Sequence, residues 1–267
     1  MRIAIVGAGN MGSWLVESLC LDYEVGVYDV DRSKLKYFFN SRKFLYYEEI
    51  MDFTPDLLIN AVSLDKTQEL FNEIISYLPK ECILADITSV KSGLADYYRK
   101  LGRRFVSTHP MFGPTFGNVK NLSDENAIII SESDEEGKAF FRDFFGSLKI
   151  KIHEYSFQEH DKTIAYSLSI PFSSTMVFAA CMKEQEAPGT TFKKHYSIAE
   201  GLLSEDDFLL AEILLSPYSL KQVERISEQM DRLIAMIKAR DTEELKAFFH
   251  CLRNNLGLES KFEHPAG

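Results

Sequence analysis

Residues Gly7-Ala8-Gly9-Asn10-Met11-Gly12 form a GxGxxG run whose flanks make it restrictive. It follows the short strand-like run Arg2–Val6 and opens a helical pattern that lasts from about Asn10 to Cys20. Strand, glycine turn and helix in that order leave few folds available. Gly7 permits the tight turn. Gly9 has no Cβ, so a pyrophosphate can reach the backbone. Gly12 lets helix and strand pack closely. The helix N-terminus adds free N–H groups and a dipole that favours phosphate.

The segments that follow alternate in type. Glu24–Tyr28, Asp56–Val62, Cys82–Asp86, Phe105–Ser107, Ala127–Ser131 and Lys151–Glu154 are strand candidates. Asp31–Phe39, Thr67–Leu78 and Asp134–Leu148 are helix candidates, the first with Asp31 as its cap. Such alternation predicts an α/β domain, a doubly wound and largely parallel sheet of Rossmann type, over residues 1–155. After about Tyr155 the pattern becomes helical. Ile164–Met182 is long and apolar, with Pro171 expected to bend or break it. Leu220, Val223, Ile226, Met230, Leu233 and Ile237 recur at helical spacing, as do Leu245, Phe248, Phe249, Leu252 and Leu256. Residues 156–260 are therefore expected to be an all-helical domain, apolar enough to bury a second copy of the chain as a homodimer. Residues 261–267 lack periodicity and are expected to be a tail or linker.

Asp29 lies 22 residues after Gly7, at the end of the second strand candidate. A carboxylate there accepts hydrogen bonds from adenosine ribose hydroxyls and repels a 2′-phosphate, which favours NAD over NADP. Arg32 and Lys34 nearby pull the other way. The cofactor site is assigned to Gly7, Gly9, Asn10, Met11, Gly12, Asp29 and Ser63.

The formal net charge of −10 makes the chain a poor general binder of nucleic acid or anionic membrane. No apolar stretch is expected to reach membrane-spanning length without polar interruption. Cys20, Cys82, Cys181 and Cys251 match no CxxC spacing and are expected to be buried free thiols, as in a reducing cytoplasm. Histidines and cysteines do not cluster at ligand spacing, so no metal is expected.

Two segments carry chemistry. Asp86-Ile87-Thr88-Ser89-Val90-Lys91 follows a buried strand at the ligand-binding end of the sheet, where hydroxyls and an ammonium can orient a ligand. The alternative is a helix start capped by Thr88 or Ser89. Ser107-Thr108-His109-Pro110-Met111-Phe112-Gly113-Pro114 also follows a strand. Its prolines and glycine predict a rigid loop presenting His109, which can take a proton from a hydroxyl while a hydride leaves the same carbon.

These pieces, with Glu159-His160-Asp161 opening the helical region, resemble the prephenate/arogenate dehydrogenase family of tyrosine biosynthesis. The resemblance spans nearly the whole chain, with a Rossmann domain followed by a helical dimerisation domain. It implies oxidative decarboxylation: NAD⁺ takes a hydride from C4 of prephenate, the ring carboxylate leaves as CO₂, and 4-hydroxyphenylpyruvate results. It implies that His109 accepts the C4 hydroxyl proton and that Ser89 holds histidine and hydroxyl in line. His160 and Asp161 are expected to organise the domain junction without a catalytic role.

The resemblance breaks at two places. A family histidine about twelve residues after the His-Asp pair is replaced by Phe172, and a family arginine that grips a carboxylate is missing from 192–201. Lys193 and His195 are the candidates to replace it, with Ser167 and Ser169 as possible hydroxyl donors. A lysine lacks the bidentate fork of arginine. Solvated basic residues and helix-packing serines are the alternatives for these four positions. Arogenate in place of prephenate, a related nicotinamide oxidoreductase with a changed substrate, and a non-catalytic NAD-binding regulatory dimer are the alternative functions.

Overall fold

The computed structural model describes residues 1–112 and 122–258. β1 (Arg2–Val6) leads through the glycine turn into α1 (Asn10–Leu19), then β2 (Glu24–Tyr28), β3 (Arg42–Phe44) and α2 (Tyr47–Phe53). β4 (Leu57–Asn60), α3 (Thr67–Ile74), β5 (Ile83–Asp86), α4 (Leu94–Leu101) and β6 (Phe105–Pro110) continue the alternation. β7 (Asn126–Ile130), α5 (Glu135–Ser147) and β8 (Lys151–Tyr155) complete an eight-stranded sheet of order β3-β2-β1-β4-β5-β6-β7-β8. Its neighbours run parallel except β6 and β7, which are antiparallel.

Successive strand residues face opposite sides, and both sides are covered. Ile3, Ile5, Val25, Val27, Leu57 and Ile59 pack with Leu15, Val16 and Leu19 of α1 and Phe141 and Phe145 of α5. Ala4, Val6, Leu58 and Leu84 pack on the other side with α2, with Leu70, Phe71 and Ile74 of α3, and with Tyr98 of α4. The chain leaves β1 for β2 on one side and returns to β4 on the other. The crevice at the carboxyl ends of β1 and β4 is thus the switch point where doubly wound sheets take ligands.

Several expectations need correction. Asp31 caps a six-residue 3₁₀ turn, Arg32–Tyr37, and not a full helix; its side chain accepts from the Ser33 N–H. β3 and α2 had no anticipated counterpart. β6 runs on to Pro110, because His109 pairs with Ile128 of β7, so His109 lies in a strand and not in a loop. Gly113, Pro114 and the segment 261–267 lie outside the described residues.

α6 (Phe157–Cys181) starts at a reciprocal cap: the Glu159 carboxylate accepts from the Ser156 N–H, and the Ser156 hydroxyl accepts from the Glu159 N–H. The helix is continuous through Pro171. By length and composition alone it is apolar enough to cross a membrane, but Ser167, Ser169, Ser173 and Ser174 interrupt it, in line with the expectation of polar interruption. Here it packs against α7 (Thr190–Leu203), α8 (Asp207–Leu215) and α9 (Ser219–Ala239), and α9 in turn meets α10 (Thr242–Asn255). Cys82 is buried, but Cys181 and Cys251 are exposed, which corrects the expectation of four buried thiols. Burial pushes the Cys82 thiol up to about 12.

Candidate active site

The glycine loop is shaped by contacts that only glycine allows. Gly7 has φ of +102°, and a Cβ there would lie 2.5 Å from the Ala61 carbonyl oxygen. A Cβ on Gly12 would lie 1.8 Å from the Gly7 carbonyl oxygen. A Cβ on Gly9, by contrast, would meet nothing within 4 Å. Gly9 is the N-cap of α1, and no side chain caps that end. The open space at Gly9 and the free helix N-terminus fit a pyrophosphate. Asp29 accepts from the Ala8 N–H at 2.6 Å and from the Asp31 N–H at 2.7 Å, while Lys34 stands 3.6 Å away. The acid therefore ties β2 to the glycine loop and keeps lone pairs for a ribose hydroxyl.

A cavity of about 700 Å³ opens on this loop. Gly9, Asn10 and Met11 line it, with Ser63 beyond β4, Thr88 and Ser89 beyond β5, and His109 at the end of β6. The helical half supplies its apolar wall, including Leu168, Phe172, Leu202, Leu209 and Ile213. One cavity thus brings together the expected phosphate loop, Ser63, Ser89 and His109.

His109 is 6% exposed. Its Nδ1 lies 3.0 Å from Nε2 of His160, whose Nδ1 lies 3.1 Å from an Asp161 oxygen. The orienting position beside His109 Nδ1 is thus taken by His160, where the sequence pointed to Ser89. Burial, then the His160 ring, then the Lys91 ammonium hold His109 well below the usual histidine value. Burial also lowers His160, against the opposing pull of Asp161.

Lys91 does not face the ligand space. Its ammonium donates to Asp86 at 2.6 Å, to the Thr88 hydroxyl at 3.2 Å and to the Thr108 carbonyl at 2.7 Å, and it is 1% exposed. The Tyr98 hydroxyl and the Thr88 hydroxyl also donate to Asp86. Burial opposes the Asp86 charge, but Lys91 and these donors hold the carboxyl below its usual range. The cluster fastens the 86–91 turn to β6. That turn lines the cavity through Ile87, Thr88 and Ser89, and the next helix starts only at Leu94, so neither Thr88 nor Ser89 caps it.

A family model described as the nucleotide-binding domain of prephenate dehydrogenase matches residues 27–151. Residues 27–151 therefore resemble that family's nucleotide-binding domain. A probable arogenate/prephenate dehydrogenase of Methanocaldococcus jannaschii is 22% identical over 221 residues, 77% of this chain and 49% of that protein. The T-protein of Enterobacter agglomerans is 22% identical over 215 residues, 77% of this chain and 57% of its own length. The chain thus spans about half the length of the curated relatives it matches. Among solved structures, Aquifex aeolicus prephenate dehydrogenase in complex with hydroxyphenyl propionate and NAD⁺ superposes with a TM-score of 0.81 at 19% identity, covering 96% of each chain. Synechocystis arogenate dehydrogenase gives 0.75 at 17% identity, over 96% of this chain and 99% of that one. These likenesses show a shared fold.

The expected replacements for the family arginine fall elsewhere. Lys193, His195, Ser167 and Ser169 are not among the residues lining the cavity. His195 is exposed, with Nδ1 on the Thr191 carbonyl and its ring against Phe178. Ser169 is buried and donates to Ser219, a contact between α6 and α9. Ser167 donates to the Ile164 carbonyl of its own helix. Phe172, at the position of the second family histidine, lines the cavity. The charged residues among the described lining are acids: Glu125, Glu205 and Asp206. Asp206 caps α8 by accepting from the N–H groups of Phe208 and Leu209. Sequence reasoning missed the bond between His109 and His160, although it had noted the Glu-His-Asp triplet.

Proposed function

We propose that this chain is an NAD-dependent dehydrogenase that oxidatively decarboxylates prephenate to 4-hydroxyphenylpyruvate in tyrosine biosynthesis, working as a homodimer. Residues 1–155 would hold the dinucleotide and 156–260 the substrate wall and dimer contact. The observation that carries this assignment is the single cavity shared by the capless glycine loop and a buried histidine at the end of β6.

The chain's own groups divide the work. Gly9, Asn10 and Met11 bind the pyrophosphate, and Asp29 takes the adenosine ribose. A bound NAD⁺ supplies hydride acceptance. His109 accepts the proton of the hydroxyl on the carbon being oxidised, and Ser89 holds that hydroxyl in place. Leu168, Phe172, Leu202 and Ile213 exclude water and press the ring toward the sheet. The ring carboxylate departs as CO₂, and its bonding pair completes the aromatic ring.

Arogenate is the second substrate supported, and by a specific observation. The acidic residues Glu125 and Glu205 suit a substrate whose side chain carries an ammonium group better than one with a keto group at that carbon. The test is to mix the protein with NAD⁺ and either substrate and follow reduced nicotinamide, with NADP⁺ as a parallel arm. Turnover of prephenate supports the first assignment, and turnover of arogenate alone supports the second. Binding of NAD⁺ with no turnover in any arm would overturn both in favour of a regulatory role. His109→Asn is expected to lower kcat about 100-fold or more with dinucleotide affinity unchanged.

A further inference from the structure

We propose that His160 and Asp161 are positioning residues that hold His109 in the tautomer with a proton on Nδ1 and a bare Nε2. The inference rests on His109 being the base that takes the substrate proton.

The chain of contacts has a fixed polarity. Asp161, when ionised, only accepts, so the His160 nitrogen 3.1 Å from it must carry the proton. A neutral imidazole has one donor and one acceptor, which makes Nε2 of His160 the acceptor. The nitrogen that faces it at 3.0 Å, Nδ1 of His109, must then be the donor. Nε2 of His109 is the remaining ring nitrogen, and it is left with a free lone pair. That is the form a general base needs. A doubly protonated His160 would reverse the last link and place the His109 proton on Nε2. The His160 side chain is fully buried, and the Lys91 ammonium bonds the carbonyl next to His109, so a second positive charge is disfavoured there.

The elements make this arrangement durable. His109 is held by its pairing with Ile128 in the sheet. His160 and Asp161 sit in the first turns of α6, which the Ser156–Glu159 cap fixes in place. The contact therefore crosses from the sheet to the helical half. As His109 gains a proton, the Asp161 carboxylate at the far end of the chain stabilises the imidazolium, as the buried acid does in a Ser-His-Asp triad.

The test uses the whole protein labelled with ¹⁵N-histidine. Long-range ¹H–¹⁵N correlation spectra, with His109 assigned by its loss in His109→Asn, are expected to show Nδ1 protonated and Nε2 bare. Asp161→Asn replaces an acceptor with an amide that can donate. It is expected to move the His109 proton to Nε2 and to lower kcat about 100-fold, with dinucleotide affinity unchanged. His160→Gln keeps an acceptor within reach of Nδ1 and is expected to retain more kcat than His160→Leu. A wild-type His109 protonated on Nε2, or Asp161→Asn with unaltered kcat and ¹⁵N shifts, would overturn the proposal. The two assignments fail separately. Full turnover in His109→Asn removes His109 as the base, whereas the wild-type spectrum reports the tautomer without any turnover.

Discussion

Removing the Lys91 ammonium is expected to cost about 3–5 kcal/mol, because it leaves a buried carboxylate without its cation. Asp86 and Lys91 have fully buried side chains 2.6 Å apart. Lys91→Met should lower the unfolding free energy from denaturant titration by that amount, and an unchanged midpoint would mean Asp86 is satisfied by Tyr98 and Thr88 alone. The same depth governs His109. Its proton affinity is depressed by burial first, then by His160 and Lys91, so the neutral, accepting form persists below the ordinary histidine value of about 6.5. kcat/KM is therefore expected to stay level as pH falls through 6.5 and to drop only at lower pH. An acid limb centred at or above 6.5 would contradict the burial. Stability follows the same sign. In the window below 6.5 the unfolded chain binds protons that the folded chain refuses at His109 and His160, so folding weakens as pH falls there.

At the scale of elements, the turn between β1 and α1 offers a clean pair of substitutions. Gly12→Ala drives a methyl into the Gly7 carbonyl, 1.8 Å away, and should destabilise by about 1–3 kcal/mol or more as the helix is levered off the strand. Gly9→Ala meets no protein atom within 4 Å and should fold normally, yet weaken dinucleotide binding, because the methyl occupies the pyrophosphate's space. Thermal melts with and without NAD⁺ separate the two. Equal ligand-induced shifts in wild type and Gly9→Ala would place the phosphate elsewhere. This turn was legible in the sequence because its causes are local: adjacent glycines, a strand before and a helix after. The amphipathic spacing behind α9 and α10 was legible for the same reason. The short β3 was not, since three residues carry no periodicity and its placement depends on pairing with β2. The extension of β6 through His109 was hidden because it needs the antiparallel β7 as partner. Nor could spacing reveal that Lys91 turns inward to Asp86, or that His160 meets His109 from 51 residues away across two halves of the chain. Those contacts exist only once helices and sheet have docked.

For the whole molecule, the helical half is underfilled. The most apolar window of α6 is only 22% buried, and Tyr166 and Val177 on that helix are more than half exposed. α9 exposes Leu220, Met230, Ile234 and Ile237, and α10 exposes Phe249 and Leu252. Apolar surface on this scale is costly in water and marks a contact with something else. A net charge of −10 opposes an anionic bilayer as that partner, whereas a second copy of the chain brings a matching apolar face. Light scattering is therefore expected to give twice the chain mass of 30.6 kDa at micromolar concentration. Ile234→Glu combined with Ile237→Glu should shift that mass toward the monomer, because it buries two charges in the contact. Flotation of the wild type with phosphatidylcholine vesicles, together with a monomer mass in their absence, would assign the apolar face to a bilayer and overturn the dimer. A dimer that survives both glutamates would move the contact off α9 and onto α6 and α10, where Val177 and Leu252 are the next positions to charge.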